Sequence, residues 1–531
     1  MSFARAGWTV GIALAVSRIL GFIRDILIAG VLGAGPIADA FLVAFRIPNA
    51  ARRVLGEGGM NAGFVPLHAA ISDNEGKQAA WAFSQRAIVL AAVLLLAVTG
   101  IAELCAGIIV QLLAAGFEAD ADKMALAILY TRLALPFIAF AGLASLIAAV
   151  LNAERHFVAS AIAPVLVNLM MIAALLVLPT DNESAEKMGA VLSITLSLSG
   201  VVHLVVVGIA LWRLPYRFAW KWPRIDCEMV RLSRFAMPAF LASATTQAIL
   251  LMAMIVASME PSAVSWLYYA DRVFQLPLSF VGVAAGIVLL PHIAARHENT
   301  VEGNRNALMR MVEGALALSL PACVALVILG GPIATVLFER GAFGAEDSAA
   351  TAAVLATMAT GLPGAVLAKV LAQPFFAHRM LRAPLLAGLA GLAVTGFAAF
   401  SLVEWLGIAG VGLGASLGLW TQAIVLWVAW RAIDAKAFDR AFLGRVVRLL
   451  LAALLMGLCV HGVALFMSGA LPMDVELTES ARAARNWLAA AQPIAVKGGA
   501  LAVICLGGML IYGIAGRLLG VIDWGMLRRG L

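Results

Sequence analysis

Charged residues are scarce in this chain of 531 residues, since Asp, Glu, Lys and Arg make up 13% of it. A soluble globular protein carries roughly a quarter. Apolar residues reach 63%, and the mean hydropathy is +0.99. These values exclude an ordinary cytosolic enzyme, a disordered chain and a fibrous protein. Because one membrane-spanning helix takes about 20 mostly apolar residues, the composition predicts a polytopic membrane protein.

Several chemical signatures are also missing. The five cysteines are scattered and form no Cys-x-x-Cys pair, so neither a disulfide framework nor a zinc site is indicated. The seven histidines never cluster at ligand spacing, so no metal site is predicted. No Walker A pattern occurs, and the loops are too short for an ATPase domain. The sequence therefore indicates no cofactor, and any work must come from an ion gradient, the membrane voltage or the substrate's own gradient.

Long apolar runs between charged, Pro or Gly breaks predict fourteen transmembrane helices. These spans lie at 6–32, 36–57, 84–114, 124–150, 158–179, 188–212, 232–258, 263–290, 307–338, 346–373, 383–403, 408–430, 443–468 and 494–519. The first run is not a cleaved signal peptide in this interpretation, because Arg18 follows it without a convincing cleavage site and the apolar pattern resumes.

The distribution of basic residues predicts the orientation of these spans. If both termini are cytoplasmic, the inside segments carry 25 Lys and Arg residues and the outside segments carry 6. Such an excess on the cytoplasmic side is typical of multi-pass proteins. The same asymmetry explains the net charge of +7 without a nucleic-acid partner.

Short matches recur about 225 residues apart and predict an internal repeat. Leu135-Pro136 matches Leu362-Pro363, and Phe117 matches Phe343 in similar surroundings. Equivalent points are separated by six spans, an even number, so both copies have the same orientation, an arrangement found among transporters. We therefore expect two parallel six-helix lobes around a central cavity, 1–225 and 226–437, followed by two further helices in 438–531. Two such lobes suit alternating access.

Ionisable residues inside the predicted spans are the strongest functional signal, because each costs roughly 2.5–3.5 kcal/mol at a helix centre. They are Arg18, Arg24 and Asp25 in the first span, beside Ser17; Asp39, Arg46 and Arg53 in the second, with Asn49, Arg52 and Glu57 near its inner end; and Asp271 and Arg272 in the eighth.

Three of these arginines, Arg18, Arg24 and Arg272, would together cost on the order of 10 kcal/mol if dry and unpaired. We therefore expect them to line a water-filled cavity, partly neutralised by the aspartates of the same spans between transport events. Guanidinium suits phosphate, since its planar fork donates two hydrogen bonds and stays charged. The pattern predicts a multiply anionic phosphate substrate. The alternative is a set of structural ion pairs that lock the first helix to the second.

Other candidates are weaker. Asp120-Ala-Asp122 matches the metal-binding Asp-x-Asp of sugar transferases, but its acidic loop favours a solvated surface. Arg132 and Lys369 lie singly in spans, where each either snorkels to the interface or lines the cavity. The basic and aromatic segment 213–231 is typical of cytoplasmic anchoring at the membrane interface, with binding of anionic lipid headgroups as the alternative.

Two long motifs give the chain a family resemblance. Ser17-Arg-Ile-Leu-Gly-Phe-Ile-Arg-Asp25 and Asp39-Ala-Phe-Leu-Val-Ala-Phe-Arg-Ile-Pro-Asn49 resemble the MurJ (MviN) lipid II flippases of bacterial peptidoglycan synthesis. Ser265-Trp-Leu-Tyr-Tyr-Ala-Asp-Arg272 fits the same family. The resemblance covers essentially the whole chain.

The resemblance implies the fold of the multidrug/oligosaccharidyl-lipid/polysaccharide exporter superfamily and a place in the bacterial cytoplasmic (inner) membrane. It implies that the chain is a flippase, not an enzyme. The substrate would be lipid II, an undecaprenyl diphosphate carrying a glycopeptide, moved from the inner to the outer leaflet. The surrounding partners would be membrane lipids and the cell-wall synthesis machinery.

The resemblance also assigns roles to residues. Arg18, Arg24 and Arg272 would hold the diphosphate, and Asp39 and Arg52 would also bind or support substrate. A second group would gate the cavity or support the site: Ser17, Asp25, Asn49, Arg53, Glu57, Ser265 and Asp271. Helices 13 and 14 would form the groove for the lipid tail.

One departure from the family concerns the coupling ion. The resemblance implies, for some members, a sodium site built from carboxylates on helices 7 and 11. Here 232–258 and 383–403 contain no Asp or Glu, so membrane potential is the expected driving force.

Two other functions stay open. One is export of another undecaprenyl-linked oligosaccharide or a drug, and the other is a membrane-embedded glycosyltransferase, for which only the acidic loop 118–122 offers a catalytic acid.

Overall fold

The computed structural model describes residues 3–55, 60–177, 185–215, 226–295, 301–377, 380, 382–434, 440–468 and 494–521. These residues form eighteen α-helices and a short 3₁₀ helix, Ala115–Ala119. The α-helices are α1 (Phe3–Leu32), α2 (Pro36–Arg53), α3 (Met60–Glu75), α4 (Lys77–Leu104), α5 (Ala106–Leu113), α6 (Ala121–Ala134), α7 (Pro136–Ala153), α8 (Phe157–Val177), α9 (Ala185–Trp212), α10 (Cys227–Ala257), α11 (Ala263–Ala295), α12 (Val301–Phe338), α13 (Ala345–Ala359), α14 (Leu362–Ala377), α15 (Arg382–Leu406), α16 (Ile408–Ile433), α17 (Arg440–Ser468) and α18 (Ile494–Leu518).

The predicted all-α polytopic class is confirmed. Each of the fourteen predicted spans coincides with one of these helices or with two consecutive ones, and α3 is an additional helix outside the spans. Within the described residues, nine helices are long and apolar enough to cross a membrane, or ten if the bent pair α13–α14 counts as one. Helices α1, α2, α10 and α11 are not in that set. The count of fourteen crossings therefore stays a prediction.

The chain forms two compact units. The first comprises Met1–Tyr268 and the loop Arg340–Phe343, and the second comprises Tyr269–Glu339 and Gly344–Leu531. Helix α11 thus begins in the first unit and continues in the second. The lobe boundaries at 225 and 437, which come from the sequence repeat, stay a prediction.

Two helix breaks lie at positions that the repeat matches. In the first unit, α6 ends at Ala134 and α7 begins at Pro136. In the second unit, α13 and α14 are bent by 43° at the break before Leu362-Pro363. Proline lacks an N–H and clashes with the preceding turn, so it is tolerated at a helix start and kinks or breaks a helix interior. Each matched Leu-Pro dipeptide therefore begins a new helix.

The core of the first unit packs α3, α4, α7 and α9 around aromatic side chains. Phe64 and Phe83 are fully buried and stack with their ring centroids 5.2 Å apart. Beside them, Arg86 on α4 forms ion pairs with Asp226 and, at 2.6 Å, with Glu228 at the start of α10. Burial raises the pKa of Glu228, and Arg86 opposes that rise. These contacts fix the first turn of α10 against α4.

In the second unit, glycines on one face of α16 bring it close to α15. Gly410, Gly414 and Gly418 are four residues apart, and a Cβ at any of them would meet atoms of α15. At Gly414 that Cβ would lie 2.5 Å from the Ala399 backbone nitrogen. Small residues at this spacing let two membrane helices pack backbone against backbone.

Replacing Gly414 tests this close packing. We expect Gly414→Ala to lower the thermal unfolding temperature of the purified protein in detergent, because the new methyl group meets backbone that cannot move independently. The matched control is Gly507→Ala on α18, where an added Cβ has nothing within 4 Å. There alanine should be neutral or slightly stabilising, since it favours a helix by about 1 kcal/mol over glycine. Equal unfolding temperatures for the two variants would contradict the interpretation.

A buried histidine on α3 predicts a pH effect on stability. His68 is 3% exposed, and its ring packs 5.6 Å from the Phe64 ring between centroids. Its Nε2 lies 3.6 Å from the Glu154 carboxylate. Burial lowers the pKa of His68, and Glu154 partly offsets this change. The folded state thus holds the ring neutral at a pH where the unfolded chain already binds a proton.

The sign of the effect follows from that difference. The contribution of His68 to stability is complete above the unfolded value of about 6.5. It decreases as the pH falls from there through the lower folded pKa. We expect the unfolding temperature of the wild type to drop between pH 7.5 and pH 5.5 by more than that of His68→Phe, which keeps the aromatic packing. An identical drop in both proteins would exclude His68 as the cause.

Candidate functional site

The first-unit part of the predicted site is centred on Arg24 and Asp25 of α1. Arg24 is 6% exposed and Asp25 is 1% exposed. Arg24 Nε and Nη2 donate to the same Asp25 oxygen, Oδ1, at 3.0 and 2.8 Å. The Tyr268 hydroxyl donates to that oxygen at 2.9 Å, and the Phe45 ring centroid lies 4.8 Å from Arg24 Cζ. The Arg24 charge is thus stabilised by a carboxylate and by the face of an aromatic ring.

Asn168 on α8 connects Arg24 to the earlier part of α1. Its Oδ1 accepts from Arg24 Nη1 at 2.9 Å, and its Nδ2 donates to the Ser17 carbonyl at 2.9 Å. A Cβ at Gly21 would lie 3.5 Å from the Asn168 amide, so the glycine leaves room for this close approach. Asn168 was not among the residues predicted from the sequence. The signal that could have identified Asn168 is its position as a single amide side chain within an apolar span.

Arg18 differs from Arg24 in its environment. It lies six residues earlier on α1 and its side chain is exposed, with no hydrogen bond or ion pair to the described residues. Arg24 engages several partners, whereas the Arg18 guanidinium is accessible. The two arginines of α1 are therefore in different states of pairing.

Asp39 on α2 is fully buried and joins three parts of the first unit. Its Oδ2 pairs with Lys123 Nζ of α6 at 2.7 Å. Its Oδ1 accepts from the Ser265 backbone N–H at 2.9 Å and from the Ser265 hydroxyl at 2.6 Å. Ser265 lies in the first turn of α11, where N–H groups lack partners within the helix. Asp39 thus caps α11 from outside and neutralises Lys123, which is 7% exposed.

Lys123 is a buried partner of Asp39 that the sequence reasoning did not identify, since it was counted with the basic residues of an outside loop. Its ammonium also lies 4.0 Å from the Phe117 ring centroid. No spacing in the sequence relates Lys123 to Asp39, because 84 residues separate them. The acidic pair beside it is exposed, as predicted, and Asp120 caps α6 by accepting from the Lys123 N–H at 3.0 Å.

Further hydrogen bonds join the loops of the first unit. The Ala342 N–H of the loop Arg340–Phe343 donates to the Gly30 carbonyl at 2.9 Å. The Gly116 N–H donates to the Ser258 hydroxyl at 3.2 Å. A Cβ at Gly116 would overlap the Ser258 backbone. These contacts all lie at the end that the charge distribution predicts to face outward.

The opposite end of α2 carries a second polar group. Arg52 Nη2 donates to Asn49 Oδ1 at 3.1 Å, one helical turn away. Arg52 and Arg53 are half-buried. Arg46 lines a pocket of about 10 Å³ beside Tyr268. A pocket of that volume holds about one water molecule, so it is too small for a sugar or a diphosphate.

Two of the remaining candidates belong to the second unit. Asp271 is 1% exposed, and its Oδ2 accepts from Gln275 Nε2 at 2.7 Å. Arg272 is half-buried. Glu57 lies outside the described residues. Arg132 and Lys369 are both exposed.

Comparisons with known proteins identify the family to which this chain belongs. The family model described as lipid II flippase MurJ matches residues 28–477. The chain belongs to this family. It is therefore a multi-pass membrane transporter and not an enzyme, as the motifs in α1, α2 and α11 predicted.

Relatives of this family member align over most of their length. A probable lipid II flippase MurJ of Rhizobium tropici is 33% identical over 100% of this chain and 97% of the relative. One of Rhizobium meliloti (strain 1021) is 36% identical over 87% of this chain and 86% of the relative. The lipid II flippase MurJ of Burkholderia cenocepacia is 31% identical over 87% and 90%.

Solved structures confirm the fold. A lipid II flippase MurJ in an inward closed conformation superposes with a TM-score of 0.76, covering 96% of this chain and 98% of that chain at 21% identity. An inward-facing multidrug MATE transporter of the MOP superfamily gives a TM-score of 0.64, covering 82% and 100% at 18% identity. The fold that the family resemblance implied is confirmed.

The buried ion pair of this family member can be tested by a double-mutant cycle. Asp39→Asn leaves the Lys123 ammonium buried without a counterion, which typically costs about 3–5 kcal/mol. We expect a clear fall in the unfolding temperature in detergent. Adding Lys123→Met should recover much of that loss, because the double variant contains no buried charge at this position. Unchanged stability in Asp39→Asn, or purely additive losses in the double variant, would contradict the proposed pairing.

Proposed function

We propose that this chain translocates lipid II from the inner to the outer leaflet of the bacterial cytoplasmic membrane by alternating access. Membership of the lipid II flippase family carries the proposal, and the two arginines of α1 support it chemically. Lipid II carries a diphosphate, and a guanidinium binds phosphate with two parallel hydrogen bonds. The apolar tail stays in the lipid while the polar headgroup crosses.

Arg18 is the first contact for the diphosphate in this mechanism. Its side chain is exposed and is not engaged by the described residues, so it can bind an anion without breaking an existing pair. Arg24 then exchanges its Asp25 oxygen for a phosphate oxygen. That exchange keeps the charge of the guanidinium compensated throughout, which avoids leaving a buried cation unpaired. Arg272 is proposed as a further diphosphate ligand on the strength of the family resemblance alone.

Asp25 and Asp39 support the cycle in different ways. Asp25 holds Arg24 and Tyr268 together when no substrate is bound. Asp39, predicted as a substrate-binding residue, has every oxygen engaged and no exposed surface. We therefore assign it a positioning role, holding α2, α6 and the start of α11 in one arrangement. Its release would free the first turn of α11.

The remaining predicted residues complete the proposal. Arg52, hydrogen-bonded to Asn49, contacts the anionic headgroup near the cytoplasmic end of α2. The group Ser17, Asn49, Arg53, Glu57, Ser265 and Asp271 supports or gates the site.

Helices α17 and α18 accommodate the lipid tail. Both termini are cytoplasmic, and the cell-wall synthesis machinery supplies and consumes the substrate. Membrane potential drives the step, since an anionic headgroup moves outward along the voltage.

Complementation tests the function. A strain depleted of its own lipid II flippase is supplied with this chain, and lipid II exposed on the outer leaflet is measured. Wild type should restore exposure and growth. Arg18→Ala, Arg24→Ala and Arg272→Ala should each abolish exposure at normal protein level, and Arg24→Lys should rescue poorly because a lysine cannot donate a bidentate pair.

The matched control is Arg213→Ala, at an exposed position just after the end of α9, which should behave as wild type. Normal growth with Arg24→Ala would contradict the assigned site. Failure of well-expressed, membrane-inserted wild type would exclude lipid II and favour another undecaprenyl-linked oligosaccharide. A glycosyltransferase would instead consume the lipid substrate in vesicles, which this proposal does not expect.

A further inference from the structure

Helix α8 presents two neutral acceptors to the guanidinium of Arg24. Asn168 Oδ1 accepts from Arg24 Nη1 at 2.9 Å, and Met171 Sδ lies 3.9 Å from the same nitrogen. Asn168 is 8% exposed and Met171 is fully buried. Both belong to the face of α8 that packs along α1. The mechanism above gives neither residue a role, although both touch an arginine assigned to the diphosphate.

The charged acceptor of Arg24 occupies the other side of the guanidinium. Asp25 Oδ1 accepts from Nε and Nη2 at 3.0 and 2.8 Å. Nε and Nη2 form one edge of the planar group, and an edge with two parallel N–H donors can bind a phosphate bidentately. Asp25 therefore holds an edge that a diphosphate can take, whereas α8 holds Nη1.

Two hydrogen bonds fix the orientation of the Asn168 amide. Its Nδ2 donates to the Ser17 carbonyl at 2.9 Å, which leaves Oδ1 directed at Arg24. A reversed amide would place its NH₂ group against the guanidinium, donor against donor, and its oxygen against a carbonyl. Asn168 is thus an acceptor toward Arg24, and it carries no negative charge that would compete with a phosphate.

We propose that Asn168 is a positioning residue for the transported diphosphate, holding Arg24 by Nη1 while the Nε–Nη2 edge exchanges Asp25 for a phosphate oxygen. This inference rests on the proposed function, because the diphosphate is that of lipid II. A guanidinium anchored at Nη1 keeps its orientation when Asp25 leaves, so less conformational freedom is lost on binding. No covalent bond changes in this step.

The affinity for lipid II tests the role of Asn168. The purified full-length protein in detergent is titrated with lipid II, and Asn168→Leu is compared with wild type. Leucine fills a similar volume but accepts no hydrogen bond. We therefore expect the affinity to fall about tenfold, a loss typical of a hydrogen bond to a charged group. Asn168→Gln keeps the amide and should retain more affinity than Asn168→Leu.

A double-mutant cycle separates positioning from helix packing. In an Arg24→Lys background, the ammonium still attracts phosphate but has no planar edge to orient. Asn168→Leu should therefore cost much less affinity there than in the wild type. If Asn168 only packs α8 against α1, its replacement costs the same in both backgrounds. Equal losses would overturn the proposal, and so would an Asn168→Leu protein that binds lipid II as tightly as wild type.

Controls make each outcome decisive. Asn152→Leu is the matched control, since Asn152 lies on α7 and accepts from the Ser160 hydroxyl at 2.9 Å; it should bind lipid II like wild type. If Asn168→Leu fails to fold, Asn168→Ala takes its place in the cycle, because truncation leaves no apolar bulk beside the guanidinium. A wild type that binds no lipid II would contradict the proposed function itself.

Discussion

The cost of an unpaired charge away from water governs this structure. Arg24 and Lys123 each have a carboxylate partner, and each also lies against an aromatic ring. Removing either carboxylate would leave an uncompensated buried cation. A transporter that moves an anion through such a region can therefore exchange counterions, but it cannot leave a cation without one.

This constraint separates two kinds of charged site in the first unit. Asp39 is locked by Lys123 and by Ser265 at the start of a helix, which is suited to holding helices in one arrangement. Arg18 is exposed and available to a ligand. Arg24 lies between these two cases: it is paired, but its partner Asp25 is the adjacent residue on the same helix, so the pair joins no second helix. The contrast supports different roles for residues that look alike in the sequence.

Much of the fold was predictable because hydropathy records which segments avoid water. The predicted spans coincide with helices, and the Leu135-Pro136 match falls at a helix break. The charged residues of α1 and α2 were also predicted as a candidate site, since their cost in a membrane singles them out. In the structure, Asp25 pairs with Arg24, the adjacent residue on the same helix. A long, flexible arginine side chain can reach a partner that backbone angles do not indicate.

The sequence by itself determined the fold class and the membrane environment, because both follow from composition and local motifs, and it predicted an anionic substrate. The tertiary structure alone decided which charges neutralise one another. Lys123 approaches Asp39, and Asn168 approaches Arg24, only after distant helices have packed. Hydropathy and periodicity describe one helix at a time, whereas an ion pair depends on the distance between two.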